Sequence, residues 1–505
     1  MTIPNVLMQK IINIEQGVVR MPAWRMAEPV NFTTLDGEQI AIVGPNGGGK
    51  TMLADIITGR HPLLLHDPEY DFSPSKKPMV ADNIKYITFR DAYGGDNDRT
   101  YYLQQRWNQM EIDENTPTVG TKLQQAYDMA LTTEGLDRAQ LDAQRDRLYD
   151  FFKMRVLLDK PIILLSSGEL RKLKLTETLL TQPRVLIMDN PFIGLDADTR
   201  QQLRVLLGEI AQKGQLQLIL ILSKTDDIPP FITHVVEVDH RIVRAKVTLD
   251  EYLAHRQPMP DHVLSKETAE AILNLPYTHK EYNAREVARL NKVSIRYGKR
   301  TILKDLDWVV GNGEHWALSG QNGAGKSTLL SLICADNPQS YACDITLFDM
   351  PRGTGESIWD IKRHIGYVSP EMHRAYQRDI PALRIVASGL KDSVGLYVKP
   401  SDEEMAACRF WMEVFGLKGL EDTTFLKLSS GEQRLVLLAR AFVKDPELII
   451  LDEPLHGLDN RNRQLVKEVI DTFVKRHNKT LIMVTHYANE LPSCIDHHLQ
   501  LVRHD

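Results

Sequence analysis

The fold of this chain follows from one segment, Ile40-Ala41-Ile42-Val43-Gly44-Pro45-Asn46-Gly47-Gly48-Gly49-Lys50-Thr51. Its first four residues are apolar and predict a buried strand. The pattern G-x-x-x-x-G-K-[ST] directly after such a strand is that of a P-loop, a turn that binds phosphate at the start of a helix. Its glycines let backbone amides and the helix N-terminus face phosphate oxygens. Taken alone, the stretch could also be an accidental glycine-rich turn.

The same stretch recurs in the second half as Trp316-Ala317-Leu318-Ser319-Gly320-Gln321-Asn322-Gly323-Ala324-Gly325-Lys326-Ser327. Two further motifs recur in the same order, Leu165–Glu169 with Leu428–Glu432 and Leu186–Pro191 with Ile449–Pro454. Asp189 follows Ser166 by 23 residues, and Asp452 follows Ser429 by the same 23. Motifs that recur within one chain in the same order, with this spacing repeated, predict two copies of one domain.

Length supports the same division, because single hydrophobic cores stop growing near roughly 250 to 300 residues. We expect a first domain over 1–246, a linker over 247–285 and a second domain over 286–505. The linker carries Pro258, Pro260 and Pro276 and predicts one short helix near Ser265–Leu273. Each half alternates short apolar strands with amphipathic stretches, which is typical of an α/β domain. The polar, helix-periodic segments 101–160 and 375–427 predict a helical subdomain in each half.

Composition excludes several classes of protein. Apolar residues make up 43% of the chain, charged residues 25%, and the net charge is -6, so bulk affinity for RNA or DNA is not expected. No apolar run approaches the roughly 18 residues that cross a bilayer. The first residues lack the pattern of a signal peptide, and the four cysteines show no C-x-x-C spacing, so we expect a reduced cytoplasmic protein without zinc or an iron–sulfur cluster.

The motifs predict where ATP and Mg²⁺ bind. Lys50 and Lys326 place an ammonium between the β- and γ-phosphates. The predicted Mg²⁺ ligands are the hydroxyls of the residues after these lysines and the aspartate carboxylates that end two apolar strands. Each aspartate could instead be solvated in a turn. Those ligands are Thr51, Asp189, Ser327 and Asp452. The expected ATP-binding residues of the loops are Gly44, Asn46, Gly47, Gly49, Lys50, Thr51, Gly320, Asn322, Gly323, Gly325, Lys326, Ser327 and Thr328.

The Leu-Ser-Ser-Gly-Glu segments resemble the signature motif of ABC ATPases, and the resemblance covers both halves. It implies two ABC-type nucleotide-binding domains in tandem, each with a RecA-like core and a helical subdomain, that pair head to tail. In that arrangement Ser429 and Gly431 complete the site of the first P-loop, and Ser166 and Gly168 complete the site of the second. Taken alone, each segment could be a plain helix N-cap.

The resemblance extends to shorter motifs. Gly194-Leu195-Asp196 and Gly457-Leu458-Asp459 resemble the family's D-loops, and Val484-Thr485-His486 resembles its switch histidine. Tyr297 lies where the family stacks an aromatic ring on adenine, although it could be an ordinary strand residue. Within the family, the tandem layout and the segments 101–108 and 453–465 most resemble a group of bacterial tandem ATPases associated with molybdate transport.

Two departures from the family pattern predict that the sites differ. Glu453 follows the metal aspartate in the second half, where the family has the carboxylate that activates water, whereas the first half has Asn190. An amide cannot accept a proton from water at neutral pH. We also align Lys224 with His486. The expectation is one catalytic site with Lys326, Glu453 and His486 and one mainly structural site, unless Asn190 still aligns water and both sites turn over slowly.

A third departure concerns partners. The family's Q-loop glutamine, which faces the membrane partner, is replaced by Phe89 in the first half and by Pro370, next to Glu371, in the second. The first functional hypothesis is an ATPase that drives a separate membrane permease, with molybdate implied by resemblance. The alternative is an ABC ATPase without a permease that acts on a ribosome, nucleic acid or another protein. The linker is not basic, which counts against nucleic acid.

Overall fold

Two parallel β-sheets, one in each half of the chain, form the framework of the computed structural model. The structure describes residues 8–88, 116–132, 137–165, 167–192, 195, 197–212, 216–255, 262–278, 282–297, 300–321, 323–375, 379–392, 399–485 and 487–504. The chain divides into two compact units, Met1–Pro258 and Met259–Asp505.

The parallel sheet of the first unit has the strand order β10-β8-β3-β7-β6-β5, and β9 pairs with β8. The pairs from β8 to β5 are parallel, and β9 and β10 are antiparallel to β8. The strands of this sheet are β3 (Ile40–Val43), β5 (Ile84–Thr88), β6 (Val185–Asp189), β7 (Gln217–Leu222), β8 (His234–Asp239), β9 (Ile242–Val243) and β10 (Val247–Thr248). β7 is apolar apart from its first residue and buried throughout, as expected for a strand covered on both faces.

A small antiparallel sheet, seven α-helices and short 3-10 turns complete the described part of the first unit. The sheet has the order β2-β1-β4. Its strands are β1 (Lys10–Gly17), β2 (Val30–Leu35) and β4 (Glu69–Tyr70). The helices are α1 (Lys50–Ile57), α2 (Val80–Asn83), α3 (Val119–Leu131), α4 (Arg138–Phe152), α5 (Ser167–Leu180), α6 (Ala197–Gln212) and α7 (Leu249–His255).

The helical subdomain predicted over 101–160 is confirmed from residue 116 onward, while 101–115 lie outside the described residues. Side chains cap both of its helices, because the Thr118 hydroxyl accepts from the amide of Thr121 and the Asp137 carboxylate from that of Gln140. Leu123 of α3 and Phe152 of α4 are buried in one cluster with residues of α5. The subdomain is therefore packed onto the helix that follows the first signature segment.

The second unit repeats this architecture. Its parallel sheet has the order β16-β17-β18-β13-β19, which matches β5-β6-β7-β3-β8 strand for strand, and its antiparallel sheet has the order β12-β11-β14-β15. The strands are β11 (Glu286–Tyr297), β12 (Arg300–Gly311), β13 (His315–Gly320), β14 (Asp344–Leu347), β15 (Met350–Pro351), β16 (Ile365–Val368), β17 (Leu448–Asp452), β18 (Thr480–Val484) and β19 (His497–Leu501). The duplication inferred from the motifs is thus a duplication of topology.

Helices cover the sheet of the second unit. They are α8 (Lys266–Leu273), α9 (Lys326–Ile333), α10 (Ile358–Lys362), α11 (Pro370–Ala375), α12 (Ala382–Ser388), α13 (Asp402–Val414), α14 (Ser430–Phe442) and α15 (Asn460–Phe473). Trp411, Phe415, Phe442 and Phe473 pack ring against ring in the core between α13, α14 and α15. The second predicted helical subdomain, 375–427, is confirmed by α12 and α13.

The segment expected to be a linker contains more structure than its composition indicates. The predicted short helix is confirmed as α8, which Ser265 caps by accepting from the amide of Thr268. A second helix, α7, was not predicted; Leu249 and Tyr252 pack it against the core of the first unit. The boundaries 1–246 and 286–505 stay predictions. Within the described residues, none of the helices combines the length and apolarity needed to cross a bilayer.

Candidate nucleotide-binding sites

Both glycine-rich stretches connect an interior strand of a parallel sheet to a helix, β3 to α1 and β13 to α9. Gly44 and Gly320 open the two loops with φ of 148° and 147°. A Cβ atom on Gly44 would lie 2.0 Å from the carbonyl oxygen of Val238, and one on Gly320 would lie 2.6 Å from that of Leu501. Glycine is required at both positions because the backbone passes this close to the neighbouring strand.

The two lysines fold over their own loops. The Lys50 ammonium donates to the carbonyl oxygens of Gly44 and Pro45, each at 2.7 Å, and is buried. The Lys326 ammonium donates to those of Gly320 at 2.6 Å and Gln321 at 3.2 Å. A compact cation beside the amides of a helix N-terminus is a donor set that suits the polyphosphate of a nucleotide. The residues present therefore fit ATP in both halves.

The aspartates predicted to bind Mg²⁺ end the strands next but one to each P-loop strand. Asp189 ends β6, and its carboxylate accepts from the Tyr86 hydroxyl at 3.2 Å. Asp452 ends β17 and is buried. Among the described residues no group of three His, Cys, Asp or Glu side chains could hold a metal by itself. A hydroxyl and one carboxylate suit Mg²⁺, which takes its other ligands from phosphate and water.

The residue after each aspartate adopts the same unusual backbone conformation. Asn190 has φ of 49° and Glu453 has φ of 53°, in the left-handed region that side chains disfavour. The backbone N–H of Asn190 donates to the carbonyl of Ile221 at 2.8 Å, and the backbone N–H of Glu453 donates to that of Val484 at 2.9 Å. These are equivalent turns, so Asn190 occupies the position of Glu453.

Glu453 lies in a setting that suits a general base. Burial, together with the neighbouring carboxylates of Asp452 and Glu490, raises the pKa of Glu453 to about 8. A base is most effective when its pKa lies near the operating pH. The second half thus presents a carboxyl group that titrates near neutral pH and whose ionised form can take a proton from water.

Asn190 is held by two hydrogen bonds. Its Nδ2 donates to the carboxylate of Asp189 at 2.8 Å, and its Oδ1 accepts from the backbone amide of Ser223 at 3.0 Å. The amide side chain joins the end of β6 to the residue after β7. It does not titrate and uses both of its polar ends within the protein.

The sheet register corrects one alignment. Asp189 pairs with Ile221 across β6 and β7, and Asp452 pairs with Val484 across β17 and β18. Counting two residues onward along the chain from each partner makes Ser223, and not Lys224, the first-half equivalent of His486. The prediction of Lys224 was therefore wrong by one residue. His486 itself lies outside the described residues.

The signature segment of the second half caps its own helix. The Ser429 hydroxyl accepts from the amide of Glu432 at 3.3 Å, and the Glu432 carboxylate accepts from the amide of Ser429 at 2.7 Å, which forms a capping box at the start of α14. Gly431 is buried in the first turn. The alternative of a plain N-cap is thus realised, while the role of both residues toward ATP stays a prediction.

Two other predicted positions have clear structural roles. Tyr297 ends β11, packs against the core, and its hydroxyl accepts from the Asn337 side chain at 3.1 Å. Stacking on adenine stays a prediction for this residue. Pro370 begins α11, where the preceding Ser369 hydroxyl accepts from the amide of Met372 at 3.1 Å. The Q-loop position is therefore the first residue of a short helix.

Several residues predicted from sequence lie outside the described part of the chain, so their positions stay predictions. Gly168 is not among them, because it falls in the first turn of α5. The residues outside are Phe89, 101–108, Ser166, Gly194, Asp196, Asn322 and His486.

Two buried arginines near these turns were not predicted from the sequence. Arg171 of α5 donates to the carbonyl of Pro191 at 2.8 Å. Arg434 of α14 donates to the carbonyl of Asp452 at 3.0 Å and to that of Glu453. The available signal was their repetition, because each lies five residues after the first serine of its signature segment.

The fold and the paired P-loops define a protein with two ATP-binding cassettes in tandem. Residues 27–193 and 303–456 match the ABC transporter family, and the chain belongs to that family. It is 35% identical to the ABC transporter ATP-binding protein ModF of Escherichia coli, with 97% of this chain and 96% of that protein covered. The similarity to bacterial tandem ATPases expected from the sequence is confirmed.

Similar proteins occur in eukaryotes and among solved structures. An ABC transporter ATP-binding protein of Schizosaccharomyces pombe is 29% identical over 92% of this chain and 93% of its own. The crystal structure of archaeal ribosomal stalk protein aP1 with ribosome recycling factor aABCE1 matches with a TM-score of 0.51 and 17% identity, covering 92% of this chain and 83% of that one. At that identity the match shows the fold alone.

Proposed function

We propose that this ABC protein hydrolyses ATP at one of two unlike sites and keeps the other mainly for binding. The observation that supports the proposal is the pair of equivalent turns with different side chains. Glu453 presents a carboxyl group whose pKa burial raises to about 8, whereas Asn190 presents an amide bonded to Asp189 and Ser223. General-base action is worth roughly 10²- to 10⁴-fold in rate.

In the proposed catalytic site, Lys326 and the loop amides bind the phosphates. Ser327 and Asp452 would hold Mg²⁺, which neutralises charge on the β- and γ-phosphates when bound. Glu453 orients a water molecule and takes its proton as the water oxygen attacks the γ-phosphorus. The bond from the γ-phosphorus to the bridging oxygen breaks, and ADP leaves.

The proposed composite geometry assigns one signature segment to each site. Ser166 and Gly168 would complete the site of Lys326, and His486 would contact the γ-phosphate there. Ser429 and Gly431 would complete the site of Lys50. The support for this step is membership in the ABC family together with the signature segments in both halves.

The binding site of the first half would hold ATP through Lys50, Thr51 and Asp189. With an amide at position 190 and a serine at position 223, it has neither the carboxylate nor the imidazole of the second half. We assign it to affinity and domain closure rather than to turnover.

We further propose that closure and opening drive a separate membrane permease. The name of the 35% identical relative, an ABC transporter ATP-binding protein, supports this step. Molybdate is the cargo to test first, on resemblance. The Phe89 and Pro370 substitutions favour the second candidate, an ABC ATPase that acts on another soluble assembly.

Two experiments test these proposals. In a phosphate-release assay on the full chain, Lys326→Ala should remove most activity, and Lys50→Ala should act more through ATP affinity; near wild-type turnover in both variants would exclude the two-site scheme. Affinity purification from detergent-solubilised membranes then tests transport. A co-purifying permease supports the first role, and its absence beside a captured soluble assembly supports the second.

A further inference from the structure

Each half of the chain buries an arginine five residues after the first serine of its signature segment, in the helix that follows. Arg434 of α14 is 2% exposed, and Arg171 of α5 is 5% exposed. A guanidinium carries a permanent charge, and burying it is costly unless hydrogen bonds and partners compensate. The hydrogen bonds of each guanidinium therefore identify the backbone that it holds in place.

The Arg434 guanidinium binds three consecutive peptide groups around Glu453. One terminal nitrogen donates to the carbonyl oxygens of Asp452, at 3.0 Å, and Glu453, while Nε lies 3.4 Å from that of Pro454. The Glu453 carbonyl also accepts from the amide of His456 at 3.1 Å. This turn is the one in which Glu453 has φ of 53°.

We propose that Arg434 is a positioning residue for ATP hydrolysis, whose guanidinium fork fixes the left-handed turn that aims the Glu453 carboxyl group. A left-handed conformation is unfavourable for a glutamate, so neighbouring groups must hold it. A planar fork can bind adjacent carbonyls in fixed directions, whereas a lysine ammonium is a point charge without that geometry. Orientation matters because misplacing a reacting group by about 1 Å can cost roughly 10²-fold in rate.

The first half supplies a matched control. Arg171 occupies the same helix position, is similarly buried and donates to the carbonyl of Pro191, one residue after Asn190. It therefore supports the same kind of turn without a carboxylate on it. Loss of stability should be similar for the two arginines, but loss of turnover should follow Arg434.

The inference rests on the proposed catalytic role of Glu453, and the experiment separates the two. Full chains carrying Arg434→Lys, Arg434→Met, Arg171→Lys or Glu453→Gln are compared for kcat, KM for ATP and thermal midpoint. We expect Arg434→Lys to lower kcat by about 10-fold or more with KM within about 3-fold, and Arg434→Met to lower kcat at least as far. Arg171→Lys should lose a similar amount of thermal stability with a much smaller loss of kcat.

Two results would overturn the inference. One is wild-type kcat in Arg434→Lys, and the other is an equal loss of kcat in the two lysine variants. Since Arg434→Lys keeps the charge, it serves if Arg434→Met fails to fold. Full turnover in Glu453→Gln would instead refute the proposed function, whereas an inactive Glu453→Gln beside a fully active Arg434→Lys would refute this inference alone.

Discussion

Asn190 and Ser223 are hydrogen-bonded to each other, with the Ser223 amide donating to Asn190 Oδ1 at 3.0 Å. By strand register they are the first-half equivalents of Glu453 and His486, the proposed catalytic pair. The two substitutions are thus neighbours, and their hydrogen bond joins the residue after β7 to the turn after β6. The first site departs from the second as a unit and not at one position.

Restoring the carboxylate alone should therefore fail. In a Glu453→Gln background, Asn190→Glu should leave turnover near that of the background, because it puts a second carboxylate beside Asp189 and loses the donor that Asn190 supplies. Adding Ser223→His should raise turnover by about 10-fold or more over the background. Phosphate release measures both; a rise with Asn190→Glu alone would show that Ser223 is not limiting.

Ser166→Arg should be nearly as damaging to ATP turnover as Lys326→Ala, because the proposed pairing places this serine on the ATP bound by the other half. Ser429→Arg is the matched control, and we expect a smaller loss of turnover since it would block the binding site of Lys50. Steady-state phosphate release compares the variants at saturating ATP. Full activity of Ser166→Arg would rule out head-to-tail closure.

The pKa of Glu453 predicts a pH-dependent contribution to stability. Its carboxyl group titrates at the ordinary value of 4.5 when unfolded and at about 8 in the folded chain, because burial and the charges of Asp452 and Glu490 disfavour ionisation. The folded state therefore keeps a proton that the unfolded state releases, and this contribution, complete below pH 4.5, is lost as pH rises through about 8.

Glu453→Gln removes that titration. Its thermal midpoint, measured without nucleotide or Mg²⁺, should gain on wild type as pH rises from about 5 to about 8. Asn190→Ala, at the equivalent turn, should follow the wild-type pH dependence. Parallel curves for wild type and Glu453→Gln would show that the carboxyl group is not held in its neutral form.

The repeat made most of the fold predictable. Because P-loop, signature and aspartate recur in the same order, with equal spacing from signature to aspartate, the sequence indicates two α/β domains. The two parallel sheets share one strand order. Register was harder to predict. Lys224 was matched to His486 because the triplets Leu222-Ser223-Lys224 and Val484-Thr485-His486 look alike. Strand pairing shows instead that Ile221 is the equivalent of Val484, so the residue two positions later is Ser223 in one half and His486 in the other.

Arg434 could not be predicted as a site residue for a different reason. Arginine in an amphipathic helix is usually exposed, and periodicity gives no indication that a charged residue turns inward. Its partners are backbone carbonyls, which every residue carries, so no pattern of side chains marks the contact. Only the folded turn brings α14 and the end of β17 together.

The difference between a catalytic site and a binding site is tested by comparing Glu453→Gln with Asn190→Ala in one phosphate-release assay, paired with a count of nucleotides retained after rapid gel filtration. Glu453→Gln keeps the shape of the side chain but removes the base, so turnover should fall by roughly 10²-fold or more while ATP remains bound. Asn190→Ala should change turnover only modestly. Comparable losses in both variants, or unimpaired turnover in Glu453→Gln, would contradict the assignment of one catalytic site and one binding site.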